Sequence, residues 1–296
     1  MSFTTDVGEE LMALSLKKNC CRRAMLLGLV LGAVREDEAV LSARYYSPTA
    51  AELTAGLLGK LFHAETKPIP QMRVGRQTYI LRFRSAAIET LLDRIDGGTE
   101  EAVHALLGFR CASCTAAFLR GAFLGCGTVN DPRKGYHLEF LLPSSQRADF
   151  LAKALQLSVG KPGLARRAGR YGLYYKSNGA ISDLLYLVGC SRTSFDVTNV
   201  SIEREIRNNE NRATNCVARN ISRSVDASQK QRAAIEALIA SHRLDTLSEE
   251  LRYTARLRLE NESASLLELS LLHDPPISKS GLNRRLSKLM EAAEEE

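Results

Sequence analysis

The side chains with chemistry to offer in this 296-residue chain are seven cysteines, five histidines and several clusters of lysine and arginine. Cys111-Ala112-Ser113-Cys114 has the spacing of a zinc-ligand pair, but no second Cys-x-x-Cys and no paired histidines follow it. Cys20 and Cys21 precede a glycine-bearing segment much like the one that Cys111 and Cys114 precede, so a twofold arrangement could bring the four thiols near one another. The local signals favour buried, inert thiols, and the sequence reading assigns no metal and no cofactor. An odd cysteine count without secretory features points to reduced thiols. His63, His104, His137, His242 and His273 are scattered and form no motif for nucleophilic catalysis.

The cationic residues are better organised. Lys161, Arg166, Arg167, Arg170 and Lys176 fall in one acid-free stretch interleaved with Tyr171, Tyr174 and Tyr175. Lys67, Arg73, Arg76, Arg82 and Arg84 fall in another. Both stretches read as hairpins about a Gly-Arg turn, Gly75-Arg76 and Gly169-Arg170. Brought together they would make a saddle facing phosphates; alternatively they are solvated strand faces. Near the end of the chain Ser278 is placed to cap a helix with Leu282, Leu286 and Leu289 on its inner face. Lys279, Ser280, Asn283, Arg284 and Lys288 then fall on its outer face. Asn and Arg pair bidentately with base edges in the major groove, while Ser and Lys at a helix start reach phosphate.

The elements that must position these groups are duplicated. Cys21 to Ala33 and Cys114 to Cys126 each carry two glycines at i, i+4, Gly28/Gly32 and Gly121/Gly125, in an otherwise apolar run. A mid-helix glycine costs ~1 kcal/mol relative to alanine, so paired glycines imply close helix approach. The repeat extends to the two basic hairpins at an offset of 93 or 94 residues, which makes a pseudo-twofold unit of residues 1 to about 190. One copy reads as helix, hairpin, helix, basic hairpin, helix, and helices on one side of an antiparallel sheet make an α+β domain. In the second copy, Ser144 or Ser145 caps a helix to about Leu157, and Ile181 to Val188 forms the last one.

The apolar run from Met25 to Val34 is far shorter than the ~20 residues of a membrane span, and no cleavable signal is evident. The net charge of +6 is modest, and 45% hydrophobic content is enough for a sizeable core. The expectation is a cytoplasmic protein.

The helices ending Leu-Gly-Leu-Val-Leu-Gly-Ala and Arg-Gly-Ala-Phe-Leu-Gly-Cys-Gly, within an α-β-β-α-β-β-α duplication, resemble the LAGLIDADG homing-endonuclease fold. That resemblance implies paired signature helices with metal-holding acids at their ends. Its acid positions fall on Leu31 and Ala33 in the first copy and on Leu124 and Cys126 in the second. None supplies the hard oxygen that Mg²⁺ needs, so catalysis is not expected. Glu36, Asp37, Glu38 and Asp131 read as solvated turn residues beyond the helix ends.

After Cys190, residues Phe195 to Ile202 read as a short extended connector before a polar helix. Asn208, Asn211, Arg212 and Asn215 share one face of that helix, where they would dock domains or, with Arg207, touch nucleic acid. Gln229 to Ser241 and Ser248 to Glu260 read as amphipathic helices, and Ser265 to Leu289 has the order of a helix-turn-helix. Glu291 to Glu296 reads as a fraying acidic end.

A degenerate LAGLIDADG domain joined to such a module resembles the WhiA family of bacterial sporulation and cell-division regulators. The resemblance rests on Ser2 to Val7, Gly121 to Pro132 with Gly135 to Phe140, Arg207 to Cys216, and Pro275 to Leu286. Cys126 stands where that family's segment has Gly.

The resulting division is residues 1–108 and 109–192 for the two repeats, 193–224 for the connector and polar helix, and 225–296 for the helix-turn-helix domain, with its motif at about 264–290. The resemblance implies a DNA-binding transcription regulator without enzyme activity, monomeric and nucleoid-associated. Its partners would be double-stranded DNA and another regulator or RNA polymerase, with no membrane. Ser278, Lys279, Ser280, Asn283, Arg284, Arg285 and Lys288 are its expected DNA contacts. Arg73, Arg76, Arg82, Arg166, Arg167, Arg170, Lys176, Arg207 and Arg212 are candidate phosphate contacts. A protein-docking module and a metal-dependent nuclease are the alternatives.

Overall fold

Each repeat folds into the same run of elements in the structure, a computed structural model that describes residues 2–73, 75–98, 110–167 and 169–294, without the side chain of Arg76. After α1 (Phe3–Met12), the first repeat gives α2 (Asn19–Val30), β1 (Val34–Asp37), β2 (Val40–Tyr45), α3 (Pro48–Phe62), β3 (Ile69–Arg73), β4 (Arg76–Phe83) and α4 (Ala86–Asp96). The second gives α5 (Ser113–Cys126), β5 (Gly127–Val129), β6 (Leu138–Leu142), α6 (Ser145–Ser158), β7 (Gly163–Arg167), β8 (Arg170–Tyr175) and α7 (Asn178–Val188). The sheets are antiparallel, ordered β1-β2-β4-β3 and β5-β6-β8-β7. The boundary expected at 108/109 and His104 lie outside the described residues.

The local sequence explains this repetition. Ser47 and Ser144 occupy matching positions, and their hydroxyls accept the amide N–H of Ala50 and Arg147 as N-caps of α3 and α6. Gly75 and Gly169 turn the basic hairpins at φ +70 and +78, the left-handed region in which other residues are strained. Leu41, Ala43 and Tyr45 alternate into the core from β2, and Leu138, Phe140 and Leu142 do so from β6.

The two signature helices α2 and α5 touch backbone to backbone. A Cβ at Gly28 would lie 2.2 Å from the Phe118 carbonyl oxygen, one at Gly121 2.0 Å from that of Met25, and one at Gly125 2.5 Å from that of Leu29. Gly28, Gly121 and Gly125 are therefore required by contact, as the spacing predicts, whereas a Cβ at Gly32 would meet only Cys126 Cβ at 3.3 Å and Gly125 O at 3.9 Å. Leu26, Leu29, Phe118 and Phe150 are fully buried around this pair. Across the repeats, the Thr4 hydroxyl donates to Val129 O at 2.7 Å, tying α1 to β5.

The chain divides into two compact units, residues 1–204 and 205–296. Phe195 to Ile202 are not extended: they lie within one helix, α8 (Ser191–Ala240). The β-branched residues of this expected connector are compatible with extended chain, but Val197 and Val200, three apart, are both buried in helical register. The Glu10 carboxylate further fixes the helix start by accepting from Arg192 N at 2.8 Å and Thr193 N at 3.1 Å. The same helix absorbs Gln229 to Ala240, and the expected boundary at 224/225 falls inside it. Glu36 and Asp37 likewise lie in strand β1, not in a turn.

The second unit adds α9 (Glu249–Glu260), α10 (Leu266–Leu271) and α11 (Lys279–Glu294) around Ile235, Leu238, Ala255, Leu269, Leu282, Leu286 and Leu289. Residues 291–294 continue α11, so the acidic end is helical as far as it is described. A reciprocal capping box starts α10: Ser265 Oγ accepts Glu268 N, and the Glu268 carboxylate accepts Ser265 N.

Candidate nucleic-acid interface

The positions that would carry acids at the ends of the signature helices are closed. Leu31 and Ala33 are fully buried, and Leu124 and Cys126 are half-buried. Burial pushes the Cys126 thiol up to about 12, so it stays protonated near neutrality, and it donates to Ala122 O at 3.2 Å. Arg147, at the start of α6, donates to Leu31 O at 3.1 Å and to Ala33 O, and it pairs with Asp96 at 2.7 Å. A guanidinium thus satisfies carbonyls at the end of α2.

Opposite the helix-covered face, strand alternation sets out most of the cationic groups, but Arg166, aligned with Tyr171, shares the side of the core residues Leu173 and Tyr175. In the first sheet, register aligns Ser42 with Arg82, Arg44 with Ile80, and Arg73 with Arg76. In the second it aligns Glu139 with Tyr174 and Arg167 with Arg170. Arg73, Arg82, Arg166, Arg167, Arg170 and Lys176 are all exposed. Two of these charges are engaged, however. Arg82 pairs with Glu36 at 2.6 Å, which holds that carboxyl below its usual range, and Arg167 lies 3.5 Å from Glu139. Arg166 and Lys176 stack on Tyr171 and Tyr174, at 5.6 and 5.0 Å from the ring centres.

In the C-terminal unit the sides of α11 differ sharply. Leu282, Leu286 and Leu289 are buried, whereas Lys279, Ser280, Asn283, Arg284 and Lys288 are exposed. Ser278 Oγ accepts Gly281 N at 3.1 Å, so its hydroxyl serves as the cap. Arg285 stands apart from the outward set: it is half-buried and pairs with Glu250 of α9 at 3.0 Å. Arg207, Asn208, Asn211, Arg212 and Asn215 lie on an exposed stretch of α8 that runs from residue 205 to 227.

Beside α11, His273 is buried edge-on to the Tyr253 ring. Burial first, and the nearby Arg285 charge second, hold it below its ordinary 6.5. The unfolded chain therefore takes up this proton more readily than the folded one. The resulting stability is full above about pH 6.5 and is lost as pH falls through the lower folded value. Thermal melts between pH 8 and 5 should show this acid sensitivity, and His273→Phe, which keeps the ring, should reduce it.

The structure also gathers Cys20, Cys21, Cys111 and Cys114, whose sulfur atoms all lie within 4.8 Å of one another. The pairing of α2 with α5 brings both helix starts to one point, the convergence that a twofold arrangement of the repeats would give.

The arrangement can be set beside known proteins. A relative from Alkaliphilus metalliredigens, a "Probable cell division protein WhiA", is 32% identical over 314 residues, covering 100% of this chain and 98% of its own. The chain belongs to the WhiA family. A Syntrophomonas wolfei protein of the same description is 34% identical with the same coverage. The family models described as the WhiA LAGLIDADG-like domain and the WhiA C-terminal HTH domain match residues 115–207 and 211–293. The crystal structure of full-length DUF199/WhiA from Thermatoga maritima superposes with a TM-score of 0.61 at 22% identity, covering 99% of this chain and 98% of that one. The crystal structure of the N-terminal LAGLIDADG domain of DUF199/WhiA gives 0.53 at 20% identity, over 67% of this chain and 96% of that one.

Within this WhiA chain some groups were not singled out by the sequence. Arg44 lies beside Ile80 on the outer face of the first sheet, Glu139 sets an acid among the cations of the second, and Arg147 reaches the end of α2. Strand alternation alone could have flagged Arg44; the other two depend on contacts distant in sequence. Among the described residues, no helix is long and apolar enough to cross a membrane.

Proposed function

We propose that the chain is a transcription regulator of cell-division, chromosome-segregation or sporulation genes that reads double-stranded DNA with α11. The carrying observation is the division of that helix into a buried leucine side and an exposed Lys279, Ser280, Asn283, Arg284, Lys288 side. Helix-turn-helix readers dock such a helix in the major groove with residues of its N-terminal part on base edges, while contacts to phosphate fix its register. The duplicated domain acts without cleaving: Leu31, Ala33, Leu124 and Cys126 replace carboxylates, and the hairpin cations add contacts to phosphate. The protein works as a cytoplasmic, nucleoid-associated monomer, alongside another regulator or RNA polymerase. Footprinting of the full chain on genomic fragments, with Mg²⁺ present, tests this: discrete protected sites with intact strands are expected, whereas unprotected or cut DNA would refute it.

The hairpin contribution has its own measurement. Replacing Arg73 and Arg170 together by alanine should weaken binding on every sequence and lower the slope of log affinity against log salt by about 1 per lost phosphate contact. An unchanged slope would favour the second reading, a protein-docking role for the duplicated domain. The observation behind that reading is that Glu36 and Glu139 already engage Arg82 and Arg167.

A further inference from the structure

We propose that Cys20, Cys21, Cys111 and Cys114 form a structural site for one zinc ion, held by four thiolates, that clamps the N-terminal ends of the two signature helices. Cys111 Sγ lies 3.5 Å from Cys21 Sγ, 3.5 Å from Cys114 Sγ and 3.8 Å from Cys20 Sγ, and Cys21 and Cys114 are 4.0 Å apart. A tetrahedron with Zn–S bonds of about 2.3 Å has S–S edges of about 3.8 Å, so four sulfurs at these separations need only small side-chain adjustments around an ion. A disulfide would single out one pair at about 2.0 Å, yet here one sulfur is nearly equidistant from three others. A cluster of several irons would hold the thiolates farther apart than a single ion does.

The surroundings suit this charge. Cys20 and Cys21 lie in the first turn of α2 and Cys114 in the first turn of α5, so two helix N-termini point at the site and favour thiolates. Arg23, Arg94 and Arg110 line the adjoining recess with Cys20 and Cys114, and among the described residues no acid shares that lining. Four thiolates on Zn²⁺ carry two net negative charges, which these guanidiniums offset. Each thiol gives its proton to solvent on binding, four protons per ion, and nothing is oxidised or reduced. Cys21 and Cys114 are buried and Cys20 and Cys111 half-buried, and with four protein ligands no position is left open for water or substrate. Residues 20 and 114 belong to different repeats, so the ion cross-links across the pseudo-twofold at the end of the helix pair opposite the closed acid positions.

Full-length protein purified without chelator should carry one zinc per chain by elemental analysis. After chelator stripping it should take up Co²⁺ with the intense thiolate charge-transfer and tetrahedral bands of a four-sulfur site. Cys111→Ser, checked for fold by circular dichroism, should lose stoichiometric zinc, while Cys216→Ser at an exposed cysteine elsewhere should keep it. The stripped parent protein provides a readout independent of any variant. Protein isolated without metal that shows no Co²⁺ bands, a disulfide among these cysteines, or iron in place of zinc would each overturn the assignment.

Discussion

Gly121→Leu is expected to leave the duplicated domain unfolded or aggregated at temperatures where the parent protein is folded. A Cβ at this position would sit 2.0 Å from the Met25 carbonyl oxygen and 3.0 Å from Leu29 N, inside any tolerable contact. These neighbours are main-chain atoms of a helix, so no rotamer change makes room, and α2 would have to move away bodily. Overpacking in cores typically costs ~1 to 3 kcal/mol, and a clash between two rigid backbones falls at or beyond the top of that range. Gly28→Leu meets Phe118 O at 2.2 Å and should behave in the same way. Gly56→Ala is the control: its Cβ meets nothing within 4 Å in the exposed middle of α3, and it should gain up to ~1 kcal/mol of helix propensity. Thermal melts and soluble yield of the three variants are the measurements; a parent-like melt for Gly121→Leu would remove the packed-pair account.

Arg284→Ala should cost roughly 1 to 3 kcal/mol of specific DNA affinity, a loss of about 5- to 150-fold, and should relax base preference at one position of the site. Asn283→Ala should do the same at a neighbouring position. Both side chains are exposed, so their removal leaves the leucine core of the unit intact, and parent-like melting would confirm that the loss is one of contact. Lys288→Ala should instead weaken all sequences alike. Arg285→Ala separates the expected contacts further: its guanidinium is drawn to Glu250 on α9, so its effect on base preference should be small. Binding measured at one salt concentration on matched and scrambled fragments distinguishes these outcomes. Unchanged affinity and preference for both Arg284→Ala and Asn283→Ala would remove α11 as the reading helix.

Much of this was legible because the signals are local or repeated. The i, i+4 glycines announce close helix approach, the Gly-Arg turns mark both basic hairpins, and Ser278 with three spaced leucines defines α11. What escaped depends on partners far along the chain. Val197 and Val200 lie in a β-branched run that reads as extended, whereas in the helix Val197 joins the first unit's core and Val200 is buried. Arg147 has no neighbour in sequence that foretells Asp96 or the end of α2. The four thiols were visible as equivalent helix starts, but Cys-Cys in one copy and Cys-x-x-Cys in the other share no spacing rule, so their convergence needed the helix pairing itself.

The glycine contact also constrains how the two repeats can diverge. Where side chains meet, a larger residue on one side can be accommodated by a smaller one on the other, and such pairs co-vary through descent. Gly28 faces the main chain of Phe118, Gly121 and Ala122, and Gly121 faces that of Met25 and Leu29. Neither partner has anything left to shorten, so no second-site change on the facing helix compensates a loss at either glycine. The repeats are free to drift apart elsewhere, but at this seam each copy holds the other fixed, and invariance rather than covariation is the trace that contact leaves.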